Sequence, residues 1–339
     1  MRAAVFKGAL GRLVVEQHPD PLPEAGELLI RIARAGICGS EIHATSHPTR
    51  PVGGDTILGH EICGEVIGLG KGVDRFRLGD RIVPMPYLGC GGCGACLAGK
   101  PHLCPEAQLG IVAGYCEYTR VGQNECIRVP AEISDEEAAL IEPLAVGLQG
   151  VRKAELVVGD RVLVTGAGPI GLAAAFWARR LGASRVVVMA NSARRKAFAL
   201  GMGATHFIAQ TEVANAAQAV RDVLGGAPDV VIEAVGVPGA IAEAIAQVKP
   251  AGTVVSLGLC WGEDHFSPSA ALMKEVRLQF SLCYARSDFE YCATVMADGD
   301  HRPRIMITST VDFDALPAKF ESLRGPSADC KVMIAPGGL

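Results

Sequence analysis

The chain has 339 residues, with 32 lysines and arginines against 36 aspartates and glutamates, so it is long enough for two hydrophobic cores and nearly balanced in charge. This balance provides no basic field for a nucleic acid or an acidic membrane surface, and a small molecule is the expected partner. No apolar run is long enough to cross a bilayer, and the first ten residues lack a signal-peptide core, which predicts a cytoplasmic protein.

The first part of the chain, from Arg2 to Val129, consists of short β-rich runs such as ELLIRIARAGI and EICGEVIGLG, separated by glycine and proline. This pattern predicts a small all-β or barrel-like unit. Near Ser134 it changes to SDEEAALIEPLAVGLQGVRKA, where a serine precedes acidic residues and then apolar residues at helical spacing. We expect a helix here that Pro143 kinks or splits.

Strands and helices then alternate regularly. RVLVTGAG, RVVVMA, DVVIEAVG and GTVVSLGL read as buried strands, and PIGLAAAFWARRLGA and ARRKAFALGMGA read as helices between them. Continuous apolar strands alternating with helices predict a parallel sheet covered on both faces, which makes the fold class α/β. We therefore predict a doubly wound nucleotide-binding domain over residues 151–282. The tail from about Cys283 lacks the alternation and is expected to return to the first domain.

Four of the twelve cysteines form one local cluster. Cys90, Cys93, Cys96 and Cys104 have two residues between each of the first three and seven before the last. In a reducing compartment such a cluster points to metal rather than to disulfides. Four thiolates close a tetrahedral shell around zinc and leave no position for a substrate, so a structural zinc site is predicted. A glycine-rich loop with incidental thiols and an iron–sulfur cluster are the alternatives.

A second set of ligand-type residues is spread along the first 142 residues: Cys38, His60 with Glu61, and Glu142. A thiolate, an imidazole and a carboxylate would leave a fourth zinc position for water or substrate, as a catalytic site requires. Each residue also has an ordinary reading when taken alone. Cys38 could be a small buried apolar residue, His60 a core histidine and Glu142 a solvated or helix-capping acid.

The sequence VTGAGPIG contains the third motif. Gly166, Gly168 and Gly171 fit the pattern G-x-G-x-x-G between an apolar strand and a helix, with Pro169 and Ile170 at the start of that helix. The glycines would allow a tight turn and close approach of a pyrophosphate, which the helix N-terminus would bind. An ordinary turn between a strand and a helix is the alternative.

The end of the next strand lacks an expected residue. In NAD-binding units an acidic residue there accepts hydrogen bonds from the ribose 2′-hydroxyl. Here the strand ends in Ala190, Asn191 and Ser192, followed by Arg194 and Arg195. Either this is not a nucleotide site, or the cofactor carries a group that a carboxylate would repel.

Together these motifs, in this order and at these separations, resemble the zinc-dependent medium-chain dehydrogenase/reductase superfamily over essentially the whole chain. The sequence EPLA around Glu142 is similar to the sorbitol and threonine dehydrogenase branch. The resemblance implies a GroES-like catalytic domain over residues 1–150, with a structural zinc lobe at 88–106. It also implies a Rossmann coenzyme domain over 151–282 and a segment 283–339 that returns to the catalytic domain. The active site would lie in the cleft between the domains, and the protein would form a homodimer or homotetramer.

The resemblance also implies roles for individual residues and two zinc ions per chain. Cys38 and His60 would bind the catalytic zinc, and Glu142, or Glu61 when the metal shifts, would supply the carboxylate. Ser40 and His43 would pass the substrate proton to solvent. A surface histidine with no such role is the alternative for His43.

In this family Ala190 aligns with the position of the NAD-type acid, and the arginines that follow suit a 2′-phosphate. We therefore predict an alcohol dehydrogenase or carbonyl reductase that prefers NADP(H) and acts on an alcohol, ketone or aldehyde. If Arg194 and Arg195 are only a solvated helix start, an NAD-dependent polyol or L-threonine dehydrogenase is the nearest rival. A catalytically silent binding protein and a zinc-free quinone reductase are opposed by the apparent ligand set.

Overall fold

The computed structural model describes residues 1–8, 11–46, 52–109 and 113–338. The chain forms two compact units, one made of Met1–Glu142 with Ala285–Leu339 and the other of Pro143–Tyr284. All twelve cysteines are free thiols. Among the residues described, no helix has both the length and the apolar character that a membrane span needs.

The first unit begins with short strands. Its elements as far as residue 139 are β1 (Arg2–Lys7), β2 (Leu13–Gln17), β3 (Glu27–Gly36), α1 (Gly39–Ala44), β4 (Gly54–Ile57), β5 (Glu61–Leu69), β6 (Arg81–Pro84), β7 (Tyr87–Leu88), α2 (Gly94–Leu97), β8 (Gln108–Leu109), β9 (Tyr118–Gly122), β10 (Cys126–Arg128) and α3 (Asp135–Ala139). This agrees with the β-rich pattern of the sequence.

The helical segment after Ser134 is divided in two, as the sequence predicts. Ser134 caps α3 by accepting a hydrogen bond from the backbone of Glu137 at 3.3 Å, and α3 ends at Ala139. The next helix, α4, covers Ile141–Lys153. Pro143 lies in the first turn of α4, where a missing backbone N–H breaks no helical hydrogen bond.

The boundary between the units falls earlier than the sequence pattern suggested. It lies at 142/143, inside α4, rather than at 150/151, and the later boundary lies at 284/285 rather than 282/283. The body of α4 packs in the second unit, where the indole Nε1 of Trp177 donates to the carbonyl oxygen of Leu144 at 2.8 Å. The hydrophobic pattern of a helix does not reveal which neighbour it packs against.

The second unit is the predicted α/β domain. After α4 it contains β11 (Arg161–Thr165), α5 (Pro169–Arg180), β12 (Arg185–Ala190), α6 (Lys196–Gly201), β13 (His206–Ala209), α7 (Ala216–Leu224), β14 (Val230–Glu233), α8 (Ala240–Gln247), β15 (Thr253–Ser256), α9 (Pro268–Met273) and β16 (Arg277–Phe280). The sheet is parallel throughout, in the order β13-β12-β11-β14-β15-β16. This is the strand order of a doubly wound dinucleotide-binding fold, which confirms the predicted fold class.

The C-terminal elements α10 (Arg286–Ala297), β17 (Ile307–Val311), α11 (Leu316–Ser322) and β18 (Lys331–Ile334) belong to the first unit. They complete a sheet ordered β10-β6-β5-β3-β18-β17, with β9 also paired to β3, beside a smaller sheet β2-β1-β4. Side chains such as Phe6, Ile30 and Phe313 fill the core of this unit. The antiparallel pairs β3–β5 and β3–β18 bring three distant parts of the chain together.

Candidate metal and coenzyme sites

The ends of two paired strands bring Cys38 and His60 together. β3 ends at Gly36, two residues before Cys38, and β5 begins at Glu61, directly after His60. Gly36 and Glu61 are partners in the antiparallel register. As a result, a ligand atom of Cys38, one of His60 and one of Glu61 all lie within 4.8 Å of one another. A thiolate, an imidazole and a carboxylate are a donor set that suits zinc.

Glu41 is a further member of this site that the sequence interpretation missed. It lies in α1 and its carboxylate is buried. Its Oε1 accepts hydrogen bonds from His60 Nδ1 at 2.8 Å and from the backbone of Gly59 at 2.7 Å. Its Oε2 accepts from the backbone of Cys38 at 3.2 Å and from the hydroxyl of Tyr115. With Nδ1 held by the carboxylate, the other ring nitrogen of His60 is the one that could bind a metal ion.

The charges around His60 favour a cation. Burial alone would lower the pKa of His60, but the neighbouring charges of Glu41 and Cys38 hold it well above its ordinary value. Burial would likewise raise the pKa of Glu41, yet the charge and hydrogen bond of His60, with the hydrogen bond of Tyr115, keep it below its ordinary value. The negative charges that raise this pKa would also attract a divalent metal ion, which has to displace the proton from the imidazole.

Glu61 has a buried cationic partner, Lys331. The Nζ of Lys331 lies 2.6 Å from both carboxylate oxygens of Glu61 and donates to the carbonyl oxygen of Ile37 at 3.0 Å. The side chains of Lys331 and Glu61 are each 1% exposed. Burial would lower the pKa of Lys331, but Glu61, Cys38 and Glu142 raise it above its ordinary value. Lys331 is therefore a charged lysine inside the core.

The other predicted residues of this site lie at different positions. Glu142 is buried at the start of α4, but it is not in the group of converging ligand atoms that the described residues form. Ser40 contacts the group, because its Oγ donates to Cys38 Sγ at 3.2 Å. His43 is exposed in the last turn of α1, and within the described part of the chain no hydrogen bond joins it to Ser40.

The four-cysteine lobe converges as well. The sulfur atoms of its four cysteines all lie within 4.8 Å of one another: Cys90, Cys93, Cys96 and Cys104. The Sγ of Cys104 accepts hydrogen bonds from the backbone of Cys90 at 3.5 Å and of Glu106 at 3.4 Å. The backbone of Cys96, together with the neighbouring cysteine side chains, lowers the pKa of Cys93 to about 7, whereas burial and the neighbouring cysteines raise the pKa of Cys96 to about 12. Without a metal ion, Cys93 is therefore the thiolate of this pair. Four sulfurs in this arrangement fit a structural zinc ion.

The glycine turn of the second unit has the shape that a dinucleotide needs. Gly166 has a φ of +96°, and a Cβ on Gly171 would lie 2.0 Å from the carbonyl oxygen of Gly166. Neither position tolerates a side chain. Gly168 caps α5 and Pro169 and Ile170 begin it, so the backbone N–H groups of its first turn are available to a phosphate.

The residues after β12 lie beside this turn. Ala190 is the last residue of β12, and Asn191 and Ser192 lead into a short 3-10 helix, Ala193–Arg195. The Nη1 of Arg195 donates to the carbonyl oxygen of Ala167 in the glycine turn at 3.2 Å. The side chain of Arg194 is exposed. Of the two arginines, the structure thus brings Arg195 to the turn.

Two family models match the chain. The first, described as "Alcohol dehydrogenase GroES-like domain", matches residues 24–131, and the second, "Zinc-binding dehydrogenase", matches residues 169–298. Among similar proteins, L-galactonate-5-dehydrogenase of Escherichia coli (strain K12) is 35% identical over 314 residues, which cover 91% of each protein.

Solved structures with bound coenzyme share the fold. One is a proposed zinc-binding dehydrogenase from Sinorhizobium meliloti 1021 bound to NADP, with a TM-score of 0.87, 29% identity and 99% coverage of both chains. Another, described as a "short chain alcohol dehydrogenase" from Escherichia coli CFT073 and complexed with NADH, has a TM-score of 0.89, 26% identity and 99% coverage of both chains. These matches confirm the family predicted from the sequence: the chain belongs to the zinc-dependent alcohol dehydrogenases of the medium-chain dehydrogenase/reductase superfamily.

Proposed function

We propose that this chain is a zinc-dependent alcohol dehydrogenase or carbonyl reductase that prefers NADP(H) and carries one catalytic and one structural zinc ion. The observation that carries the proposal is the convergence of Cys38, His60 and Glu61, with the imidazole oriented by Glu41. That convergence would provide a cation site with Cys38 and His60 as its protein ligands. Glu142, directly or through water, is the proposed source of the carboxylate, and Glu61, which pairs with Lys331, would supply it when the metal shifts.

The residues of the first unit suit proton removal from an alcohol. A zinc ion held there would supply Lewis-acid polarisation of an alcohol or carbonyl oxygen. Ser40, whose hydroxyl donates to Cys38 Sγ, is the proposed relay: it would accept the proton of the substrate hydroxyl while passing its own proton on toward His43 and water. The exposed His43 is proposed to exchange that proton with water. Glu41 and Lys331 hold the segments that carry Cys38 and His60, and so fix where these steps occur.

The coenzyme preference is proposed from the second unit. Ala190 contributes no carboxylate at the end of β12, so this residue does not repel a 2′-phosphate. Arg195, which hydrogen-bonds to the glycine turn, would supply the paired donors that a phosphate prefers, with Asn191, Ser192 and Arg194 around it. One similar structure contains NADP and another NADH, so the preference has to be measured on this chain.

The test is a panel of polyols, simple secondary alcohols and cyclic alcohols, assayed with NADP+ and NAD+ on the zinc-loaded wild type and on Cys38→Ser. We expect turnover of at least one alcohol, a preference for NADP+ of tenfold or more, and loss of turnover in Cys38→Ser. Equal turnover by the variant would reject the proposed zinc site. A preference for NAD+ would favour the polyol or L-threonine dehydrogenase reading. Assembly as a homodimer or homotetramer remains a prediction of the family resemblance.

A further inference from the structure

Tyr115 supplies a hydrogen bond to the carboxylate that orients His60. From the residues that the structure describes, Glu41 accepts four hydrogen bonds, two on each oxygen. Only one of them, that of Tyr115, comes from a part of the chain that carries no proposed metal ligand. We infer that Tyr115 is a positioning residue for the catalytic metal, because its hydroxyl fixes the Glu41 carboxylate against His60 Nδ1. This inference rests on the zinc site of the proposed function.

The ring of Tyr115 is held so that its hydroxyl points to one place. The side chain is fully buried and meets the ring of Phe320 edge to face at 6.3 Å. Its backbone donates to the carbonyl oxygen of Leu58 at 2.8 Å and accepts from Ala4 at 2.7 Å. A Cβ on Gly59 would lie 2.7 Å from Cδ1 of this ring, so the glycine before His60 packs directly against it. Tyr115 is thus anchored before it contacts Glu41.

The hydroxyl is also a dependable donor. Burial, and then the charge and hydrogen bond of Glu41, hold the pKa of Tyr115 well above its ordinary value, so the group stays protonated. Without it, Glu41 Oε2 would keep only the 3.2 Å hydrogen bond from the backbone of Cys38. The carboxylate could then rotate, and the hydrogen bond that orients His60 would lose its fixed geometry. Loss of such outer hydrogen bonds typically lowers metal affinity about 10- to 100-fold.

The experiment measures zinc affinity on the full chain by competition with a chromogenic chelator. Tyr115→Phe keeps the ring and removes the hydroxyl. Tyr118→Phe, three residues along, is the matched control, and Cys38→Ser reports the zinc held by the cysteine lobe alone. We expect Tyr115→Phe to retain the lobe zinc and to bind the second zinc about tenfold more weakly. Tyr118→Phe should match the wild type. Thermal unfolding of each variant verifies that it is folded.

A double-variant cycle separates positioning from general packing. If Tyr115 acts through Glu41, adding Tyr115→Phe to Glu41→Gln should cause no further loss of zinc affinity. Wild-type affinity in Tyr115→Phe, or a loss of the same size in both backgrounds, would overturn the inference. If the wild type binds no more zinc than Cys38→Ser, the proposed function fails and the inference fails with it. A wild type with the extra zinc and an unaffected Tyr115→Phe would reject the inference alone.

Discussion

Replacing Lys331 with methionine tests the buried ion pair beside the proposed catalytic metal. Methionine keeps most of the aliphatic length of lysine and removes its charge and its three donors. Glu61 would then be a carboxylate, 0% exposed, without its cation, and the carbonyl oxygen of Ile37 would lose its 3.0 Å hydrogen bond from Nζ. We therefore expect a large loss of stability in the first unit.

The size of that loss follows from the geometry. Both oxygens of Glu61 lie 2.6 Å from Lys331 Nζ, and both side chains are 1% exposed. Removing one partner of such a pair costs about 3–5 kcal/mol. For a unit of about 200 residues, each kcal/mol lowers the melting temperature by about 2–4 °C, so we expect a fall of about 6–20 °C.

The assay is thermal and urea unfolding of wild type, Lys331→Met and the control Lys319→Met, all treated with a chelator so that no metal ion beside Cys38 and His60 compensates Glu61. Lys319 pairs with Asp329 at 2.8 Å nearer the surface, and Asp329 keeps hydrogen bonds from Thr308 and Ser327, so the control should cost about 1 kcal/mol or less. Adding Glu61→Gln to Lys331→Met removes the uncompensated charge and should restore part of the stability.

The pH dependence has a definite sign. Because the folded protein raises the pKa of Lys331, the ion pair stabilises fully below the ordinary lysine pKa of about 10.4 and is lost as the pH rises through the folded value. The stability that the charge of Lys331 contributes to the wild type should therefore be constant near neutral pH and be lost only in strong alkali. A cost for Lys331→Met no larger than that of Lys319→Met would refute the reasoning.

Two further changes test the coenzyme and lobe proposals. Arg195→Ala should weaken NADPH binding tenfold or more, about 1.4 kcal/mol, and leave NADH binding unchanged. Parallel titrations followed by nicotinamide fluorescence would measure both affinities. Equal losses of affinity for the two coenzymes would argue against a phosphate contact. Cys104→Ser removes the buried sulfur of the lobe. The variant should lose one zinc ion per chain and have a lower melting temperature, but it should still bind NADPH. Metal analysis, thermal unfolding and the same titration would measure these three properties. A Cys104→Ser protein with the zinc content of the wild type would contradict the lobe assignment.

Local patterns in the sequence were enough to predict much of this molecule. The glycine turn and the cysteine lobe are each contained in a short segment, where spacing alone limits the geometry. The serine cap of α3 and the division of the helix before Pro143 follow from residue chemistry at neighbouring positions. The parallel sheet follows from apolar strands that alternate with helices, because each needs the other to cover its apolar face.

Contacts between distant segments were not predictable in this way. Tyr115 and Glu41 are 74 residues apart, and Lys331 and Glu61 are 270 apart. Glu41 had one usable signal, since it follows Cys38 by three residues, as the acidic residue does in a capped first turn. Lys331 had another, because a lysine in the otherwise apolar run KVMI needs a buried acid as partner. Neither signal identifies the partner.

The pairing of β3 with β18 also determines the order in which the first unit can be completed. The ribosome releases Cys38, His60, Glu61, Glu142 and the whole second unit before it releases β18. Until then, the large sheet lacks the strand that joins β3 to β17, and Glu61 lacks its counter-ion. Domains generally fold as units during synthesis, so the continuous second unit can fold while the first is still unfinished. A nascent chain that stops just short of Lys331 would contain every proposed zinc ligand but not the lysine that must pair with Glu61 when that carboxylate is buried.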